Sequence, residues 1–185
     1  MGRLNLGLVS KAFAALAVAL FTVSVKAEGQ ESFASHLSGY WQYTSASSGI
    51  FKTDDTDCLL SQFTLSPGYK TNFGLSFYVP VDFSFLGYNL GSTKNFERQG
   101  CLGLGLGYDL AKRGNPLGLE VAASCVSTIL DADVRYLLPR LDFRVGFKGS
   151  HYGAYCGLGV AAFHPYTKGF DDKVMMAVSF GCWIF

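Results

Sequence analysis

Residues 73–85 alternate strictly between large apolar side chains and small or polar ones. One face would carry Phe73, Leu75, Phe77, Val79, Val81, Phe83 and Phe85, and the other Gly74, Ser76, Tyr78, Pro80, Asp82 and Ser84. A period of two indicates a β-strand between two unlike environments, because successive side chains point to opposite faces. Ordinary strands average about 5–6 residues and membrane-barrel strands about 9–11. The length of this run therefore favours a membrane barrel.

Similar alternation recurs in residues 101–110, 117–124 and 141–148. Together with less regular segments it predicts eight strands, at about 33–45, 58–69, 72–86, 101–110, 117–128, 134–148, 151–163 and 173–185. Pro139 makes the boundary of the sixth strand the least certain of these, since proline cannot donate to a strand ladder. The predicted fold is all-β.

The last predicted strand is apolar up to Phe185. An unpaired apolar edge aggregates, so we expect this strand to pair with the first and close an antiparallel, up-and-down barrel. Five further apolar residues make the second face of this strand apolar as well: Val174, Met176, Val178, Phe180 and Ile184. The two faces are therefore hard to tell apart here.

The predicted connections fall into two sets. Those after the first, third, fifth and seventh strands are Ala46–Asp57, Gly87–Gly100, Ile129–Asp133 and His164–Asp172, all of them long except Ile129–Asp133; those after the second, fourth and sixth strands are Lys70–Thr71, Ala111–Pro116 and Gly149–Ser150. Long loops on one rim and tight turns on the other are typical of outer-membrane barrels, with the termini and turns on the periplasmic side.

Residues 1–27 have the pattern of a signal peptide. Arg3 and Lys11 precede an apolar stretch from Ala12 to Val25, and small residues lead to a cleavage site after Ala27. That stretch is shorter than the roughly 20 residues that a membrane-spanning helix needs. We therefore expect residues 28–185 to form the barrel domain and the chain to be exported.

The composition fits the same class. Only 16% of residues are charged and 15% are aromatic, with 22 glycines. Removing residues 1–27 takes away three of the 15 basic residues and none of the 14 acidic ones, which leaves a formal charge of −2. This balance gives no indication of a nucleic-acid partner.

At this point the chain resembles the small eight-stranded outer-membrane barrels of the OmpA and OmpX type and, more loosely, the outer-membrane protein W family. The resemblance rests on the signal peptide, the strand count, the alternating loop lengths and the final residues Gly181 to Phe185. It implies a transmembrane β-barrel in the bacterial outer membrane, in contact with outer-membrane lipid. It also implies that Gly181, Trp183 and Phe185 belong to a signal that the barrel-assembly machinery reads.

A secreted lipocalin is the alternative fold, because Gly39-Tyr40-Trp41 matches the G-x-W signature of its first strand. The low charge content, the lack of a C-terminal helix and the apolar outer face oppose this alternative. In a membrane barrel, Trp41 and Tyr43 would belong to an interfacial aromatic girdle.

Four charged residues fall on the lumen face of neighbouring strands: Glu120, Asp142, Arg144 and Lys148. An eight-stranded barrel is only wide enough for its own side chains, and buried charges must be paired. We interpret these residues as a structural charge cluster that plugs the lumen. Gly103, Gly105, Gly107, Gly157 and Gly159 would leave part of the wall bare, toward the fourth and seventh strands.

Candidates for catalysis are few. Gly103-Leu104-Gly105-Leu106-Gly107 lacks the spacing and the following helix of a nucleotide-binding loop. His36, His151 and His164 are the histidines, and Gly153 stands where the His-x-Ser pair of lipid A deacylases would need a serine. His164, with Asp171 and Asp172 nearby, has no evident serine partner. The sequence therefore predicts no enzymatic activity and no cofactor.

The chain has five cysteines, at positions 58, 101, 125, 156 and 182. Their spacing matches no zinc motif, and we expect no metal site. An odd number in an oxidising compartment leaves at least one thiol unbridged or paired with another chain. We expect mostly apolar fillers, with a Cys58–Cys101 link across the outer rim as the exception.

Three functions stay open. The first is a non-enzymatic barrel whose surface loops bind a host molecule, a ligand or neighbouring proteins. The second is a porin-like channel or transporter for small apolar molecules, which needs a continuous lumen cavity. The third is a lipid-modifying enzyme, which needs a nucleophile and a base at the outer rim.

Overall fold

The computed structural model describes residues 37–48, 58–90, 93–111, 115–129 and 132–185. The proposed signal peptide, His36 and the start of the predicted first strand lie outside these ranges. The described residues form nine strands: β1 Leu37–Ser47, β2 Cys58–Lys70, β3 Leu75–Tyr78, β4 Val81–Leu90, β5 Thr93–Asp109, β6 Leu117–Thr128, β7 Tyr136–Lys148, β8 Tyr152–Pro165 and β9 Lys173–Ile184.

β3 and β4 are two halves of one barrel strand. Both pair antiparallel with β2 and β5, and the register runs through the break without a shift. Pro80 lies in the break and has no N–H to donate. The ladder continues around it, because Val79 donates its N–H to the Pro67 carbonyl and Gly103 donates to the Pro80 carbonyl. The barrel therefore has eight strands.

The sheet closes on itself through β1 and β9. Nine residue pairs join them, from Gly39 and Ile184 to Ser47 and Met176, and β1 also pairs with β2 on its other side. Every neighbouring pair in the ring is antiparallel. The closure predicted from the apolar last strand is confirmed, and so are the all-β class and the eight strands.

Alternation along each strand separates an outward surface from a filled interior. The outward face carries large apolar side chains that stay well exposed, among them Phe63, Leu65, Phe83, Phe85, Leu141, Phe143, Val145, Leu158, Val160, Val178 and Phe180. Such a band suits hydrocarbon and is opposite to the polar exterior that a soluble barrel needs. This surface argues against the lipocalin alternative.

The apolar residues of the last strand belong to this outward surface. Val174, Val178, Phe180 and Ile184 are each about half exposed. The inward residues of β9 are Lys173, Met175, Ala177, Ser179, Gly181 and Trp183. The apolar residues of β9 that the sequence could not assign to one face therefore point away from the lumen.

One predicted connection is wrong. Residues 87–90 and 93–100, expected to be a long loop, continue β4 and β5 as a paired hairpin out to Leu90 and Thr93. β2 joins β4 only up to Tyr88, and β6 joins β5 only from Cys101. The end of the hairpin therefore projects past the barrel wall, where nothing requires alternation between lipid and lumen.

The other boundaries differ by a few residues. β7 runs through Pro139 without a change of register, because the residues on both sides keep their partners in β6 and β8. β8 includes His164 and Pro165, so the connection that follows is shorter than predicted. Within the ranges that the structure describes, no helix has the length and apolar character to cross a membrane.

Candidate functional site

The Arg144 guanidinium lies at the centre of the interior polar cluster. Arg144 projects inward from β7 and is 1% exposed. Its Nη1 lies 3.5 Å from Glu120 Oε1, across the β6–β7 pair, and its Nη2 lies 3.7 Å from Asp142 Oδ2. These are ion-pair distances rather than tight hydrogen bonds. The register of β6 and β7 explains the first contact, because Glu120 and Arg144 are direct cross-strand partners.

Aromatic rings surround the same guanidinium. The Arg144 Cζ lies 4.2 Å from the centre of the Tyr40 ring and 5.3 Å from that of Tyr155. Tyr40 also packs edge-on against Tyr78 at 4.9 Å, and Tyr155 lies 4.5 Å from Trp183. The π faces attract the cation where few hydrogen-bond acceptors are available to it.

Glu120 accepts from three sides. Besides its ion pair with Arg144, it accepts hydrogen bonds from the Tyr78 hydroxyl at 3.3 Å and from the Trp183 indole N–H. The carboxylate is 5% exposed. Donors from β3, β7 and β9 therefore converge on one carboxylate of β6, and the burial cost of that charge is offset from opposite walls of the barrel.

The glycines of β5 and β8 make room for these side chains. A Cβ at Gly107 would collide with the Glu120 carboxylate and the Tyr78 ring, and one at Gly159 with the Asp142 carboxylate. At Gly157 a Cβ would collide with the Ser179 hydroxyl and lie close to Arg144. The prediction of a bare wall is therefore wrong at Gly107, Gly157 and Gly159, where polar side chains from neighbouring strands fill the space; at Gly103 a Cβ would meet the β6 backbone and Val126, and Gly105 has only ordinary contacts.

Arg140 extends the cluster toward β1 and was missed in the sequence. Its Nε donates to Asp142 Oδ2 at 2.7 Å, and its Nη1 donates to the Thr44 hydroxyl at 3.0 Å. Arg140, Asp142 and Arg144 follow one another at a spacing of two, so the alternation alone places Arg140 on the inward face. Pro139, next to Arg140, made it hard to decide which residues of this segment face inward.

Lys148 lies apart from the central cluster, at the rim that carries the short turns. It pairs with Asp109 and not with Glu120, and Lys70 pairs with the same carboxylate at 2.9 Å. The Lys148 ammonium also lies 5.7 Å from the Trp183 ring. The predicted set of four is therefore divided: Glu120, Asp142 and Arg144 lie together in the core, and Lys148 lies at the mouth.

The interior toward the opposite rim is apolar. Its buried members include Leu60, Leu86, Val126, Tyr136, Leu138, Phe163 and Met175. The hydroxyl of Tyr136 finds partners in Ser84 at 3.0 Å and in the Cys101 thiol at 3.4 Å. This layer closes the barrel beyond the polar cluster, so side chains fill the described interior from one rim to the other.

The longer connections are fastened to the barrel at this rim. Glu97 accepts the backbone N–H groups of Asp133 and Val134, and Gln99 donates to the Val134 carbonyl at 2.7 Å. Between β8 and β9, Phe170 packs edge-on against Tyr88 at 4.9 Å. Side chains of the projecting hairpin thus hold the backbone of one other connection and contact the Phe170 ring of a second.

One histidine has an acidic partner at the loop rim. His164 Nδ1 lies 3.1 Å from Asp172 Oδ1, and both side chains are well exposed. Nearby Tyr166 shares a hydrogen bond with Ser127, and burial raises the pKa of the Tyr166 hydroxyl. His151, at the turn rim, packs against the Tyr152 ring. No serine or cysteine thiol is recorded within hydrogen-bond reach of His164 among the described residues.

The five cysteines are all described, and no disulfide joins any of them. The predicted Cys58–Cys101 link is therefore wrong. Both side chains are buried in the apolar layer, and Cys101 approaches the Tyr136 hydroxyl. Cys156 faces outward. No group of three or more histidine, cysteine or acidic side chains in the described ranges is arranged to hold a metal ion.

The residues of the predicted assembly signal take part in the interior. Trp183 is 2% exposed and donates to Glu120, and Phe185 stacks on Trp183 at 6.5 Å. Gly181 faces inward against Tyr155, where a Cβ would also collide with the Trp41 carbonyl. These positions give the three residues structural roles, whatever the assembly machinery reads.

The outward aromatics pair across strands. Trp41 stacks on Phe63 at 6.4 Å, and Tyr43 packs against Phe180 at 5.3 Å. Trp41 and Tyr43 lie in the middle of β1, on the outward face as predicted. Their place in an interfacial girdle stays a prediction.

The fold and the interior define a class of protein. Eight antiparallel strands in a closed ring, an apolar outward band and a side-chain-filled polar interior form a small β-barrel of the outer-membrane type.

The comparisons with known proteins concern this fold. Among solved structures, the chain is similar to Neisserial surface protein A, with 17% sequence identity and a TM-score of 0.48. The match covers 80% of this chain and 95% of that one. No protein-family model matches the sequence, and a search of curated proteins finds no match.

The interior pair gives a prediction. Replacing Glu120 with leucine leaves Arg144 buried without its cross-strand carboxylate, and we expect a loss of about 3–5 kcal/mol in the free energy of unfolding. The double variant Glu120→Leu with Arg144→Met should recover most of that loss, since neither charge is then left alone. Urea unfolding of the refolded barrel in detergent micelles measures both.

The control is Asp172→Asn. It breaks the exposed contact with His164, and we expect a change of at most about 1 kcal/mol. A loss for Glu120→Leu no larger than this control would contradict the assigned role of the Glu120–Arg144 pair.

Proposed function

We propose that the mature chain is an integral, non-enzymatic protein of the bacterial outer membrane, and that its loops bind a host molecule, a ligand or neighbouring proteins. The observation that carries the proposal is the combination of an apolar outward band with an interior filled by paired charges. Residues 1–27 would act as the export signal.

The outward band supports membrane insertion on energetic grounds. Large apolar side chains cover the outside of every barrel strand, and about 25 cal/mol is gained for each square ångström of apolar surface removed from water. Closure of β1 on β9 pairs the backbone groups that lipid cannot satisfy. Outer-membrane lipid is thus the proposed surrounding solvent.

The loop rim supports an interaction role. The hairpin of β4 and β5 projects past the wall, and Phe96 on it is 79% exposed. Glu97, Gln99 and Phe170 hold adjacent connections against this hairpin. An ordered surface loses less entropy on binding than a mobile one, which favours recognition at this rim.

Transport and catalysis receive less support. Transport of apolar molecules needs a continuous passage, whereas the Arg144 cluster and the apolar layer fill the described interior in series. A lipid-modifying enzyme needs a nucleophile beside a base, and the His164–Asp172 pair has no such neighbour among the described residues.

The orientation gives a prediction. An epitope inserted between Lys168 and Gly169, both exposed at the loop rim, should bind antibody on intact cells. The matched insertion between Gly149 and Ser150, exposed at the turn rim, should bind only after the outer membrane is permeabilised. Flow cytometry of both strains, with fractionation of the cells, checks this expectation. Recovery of either protein in the soluble fraction would refute membrane insertion.

The filled lumen gives another prediction. Protein reconstituted in planar bilayers should show little steady ion conductance, because paired charges and apolar side chains occupy the interior. A general porin under the same conditions is the positive control. Large, stable conductance steps would instead favour the transport function.

The proposed role of the last strand in assembly gives a third prediction. We expect Phe185→Ala to lower the outer-membrane yield several-fold, because the proposed signal ends on this ring. Ile184→Ala, which shortens the exposed outward neighbour, should leave the yield unchanged. Both purified variants should refold in micelles, and Phe185→Ala should lose only the modest stability of its stacking on Trp183. Equal membrane yields would remove Phe185 from the signal, and a refolding defect confined to Phe185→Ala would assign it a structural role alone.

A further inference from the structure

A small polar cavity lies in the interior beside Arg140, between the walls formed by β2, β4, β6 and β7. Its volume is about 10 Å³, and Gln62, Thr64, Asp82, Ser124 and Arg140 supply its polar lining. A cavity needs roughly 10–15 Å³ of such volume, and two to four polar partners, to hold one water molecule.

Two acceptors in this lining lack hydrogen-bond partners in the described structure. They are the Asp82 Oδ1 and the Gln62 Oε1, on side chains that are 4% and 1% exposed. The other ends of the two groups are joined, because Gln62 Nε2 donates to Asp82 Oδ2 at 3.1 Å. Burial without a partner destabilises the folded state, and more strongly for a charged group. Thr64, on the same lining, hydrogen-bonds with the Asp82 carboxylate, and the two orphan oxygens still call for a donor that reaches both.

The charged side chains around the cavity indicate which group can donate hydrogen bonds near Asp82. Asp82 has no cation within 4.0 Å among the described residues, whereas Asp142 contacts Arg140 and Arg144. Arg140 lines the cavity, and its guanidinium carries five N–H groups. Its recorded bonds run from Nε to Asp142 and from Nη1 to Thr44, so further N–H groups exist for another acceptor.

We propose that this cavity binds one water molecule that joins Asp82 and Gln62 to Arg140. The water donates one hydrogen bond to each orphan oxygen, and its own oxygen accepts from the Arg140 guanidinium or the Ser124 hydroxyl. The two O–H groups of the water thus match the two orphan oxygens. The water also lies between Asp82 and Arg140, which form no direct ion pair. A small metal cation would suit the two oxygens, but the positive guanidinium that lines the same cavity would repel it.

The bridge connects two walls of the barrel. Asp82 lies on β4 and Gln62 on β2, while Arg140 lies on β7 and reaches β1 through Thr44. The water thus completes a polar layer that crosses the lumen from the β2–β4 wall to the β7 wall. This inference does not depend on the proposed surface function.

Crystals of the refolded protein, at a resolution that shows ordered waters, provide the test. We expect one density peak within hydrogen-bonding distance of Asp82 Oδ1, Gln62 Oε1 and a donor from Arg140 or Ser124. Rubidium-soaked crystals should show no anomalous signal there. An anomalous peak would overturn the water in favour of a cation, and direct contact of Asp82 with Arg140 without a peak would remove the site.

A pair of variants sharpens the test. Gln62→Leu removes one of the two acceptors, and the peak should be lost. Ser179→Ala removes another buried hydroxyl that lacks a partner, away from the cavity, and the peak should persist. A peak unchanged in Gln62→Leu would contradict the proposed geometry. If that variant fails to fold, the wild-type crystals still decide the question.

Discussion

The rest of the interior depends on the burial of the Arg144 charge. A guanidinium that is 1% exposed needs partners from several directions, and no single strand can supply them. Glu120 comes from β6, Asp142 from its own strand, and the Tyr40 and Tyr155 rings from β1 and β8. Because these partners lie on different strands, the ring must be closed and in register for the charge to be satisfied. The interior thus selects the same register as the backbone ladder.

The glycines follow from the same requirement. An eight-stranded barrel encloses little volume, so a large inward polar side chain fits only where the neighbouring strand leaves room for it. Gly107 leaves this room beside Glu120, and Gly159 beside its cross-strand partner Asp142. In sequence, a row of inward glycines looks like unfilled space. In three dimensions it is the space that a charge from the next strand occupies, which is why the number of glycines predicts neither a cavity nor a channel.

The sequence predicts the parts of the fold that depend on the alternation of inward and outward side chains along each strand. Strict alternation identified the inward Glu120, Asp142 and Arg144, and the apolar final strand predicted the closure with β1. The features that the sequence did not predict share a cause, because alternation along one strand says nothing about which residues of other strands come into contact. The pairing of Lys148 with Asp109 depends on shear around the barrel, and the hairpin beyond Gly87 lies where neither lipid nor lumen imposes a pattern.

The two ends of the barrel are held in different ways, and this difference bears on where recognition can occur. At the turn rim, Lys70 and Lys148 share the Asp109 carboxylate. At the loop rim, carboxylate and amide side chains bind backbone groups of other connections, as Glu97 does with Val134. Side chains that bind backbone fix the path of a loop without prescribing the residues along it. Under the proposed function, the outward side chains at this rim are the ones that would contact a partner.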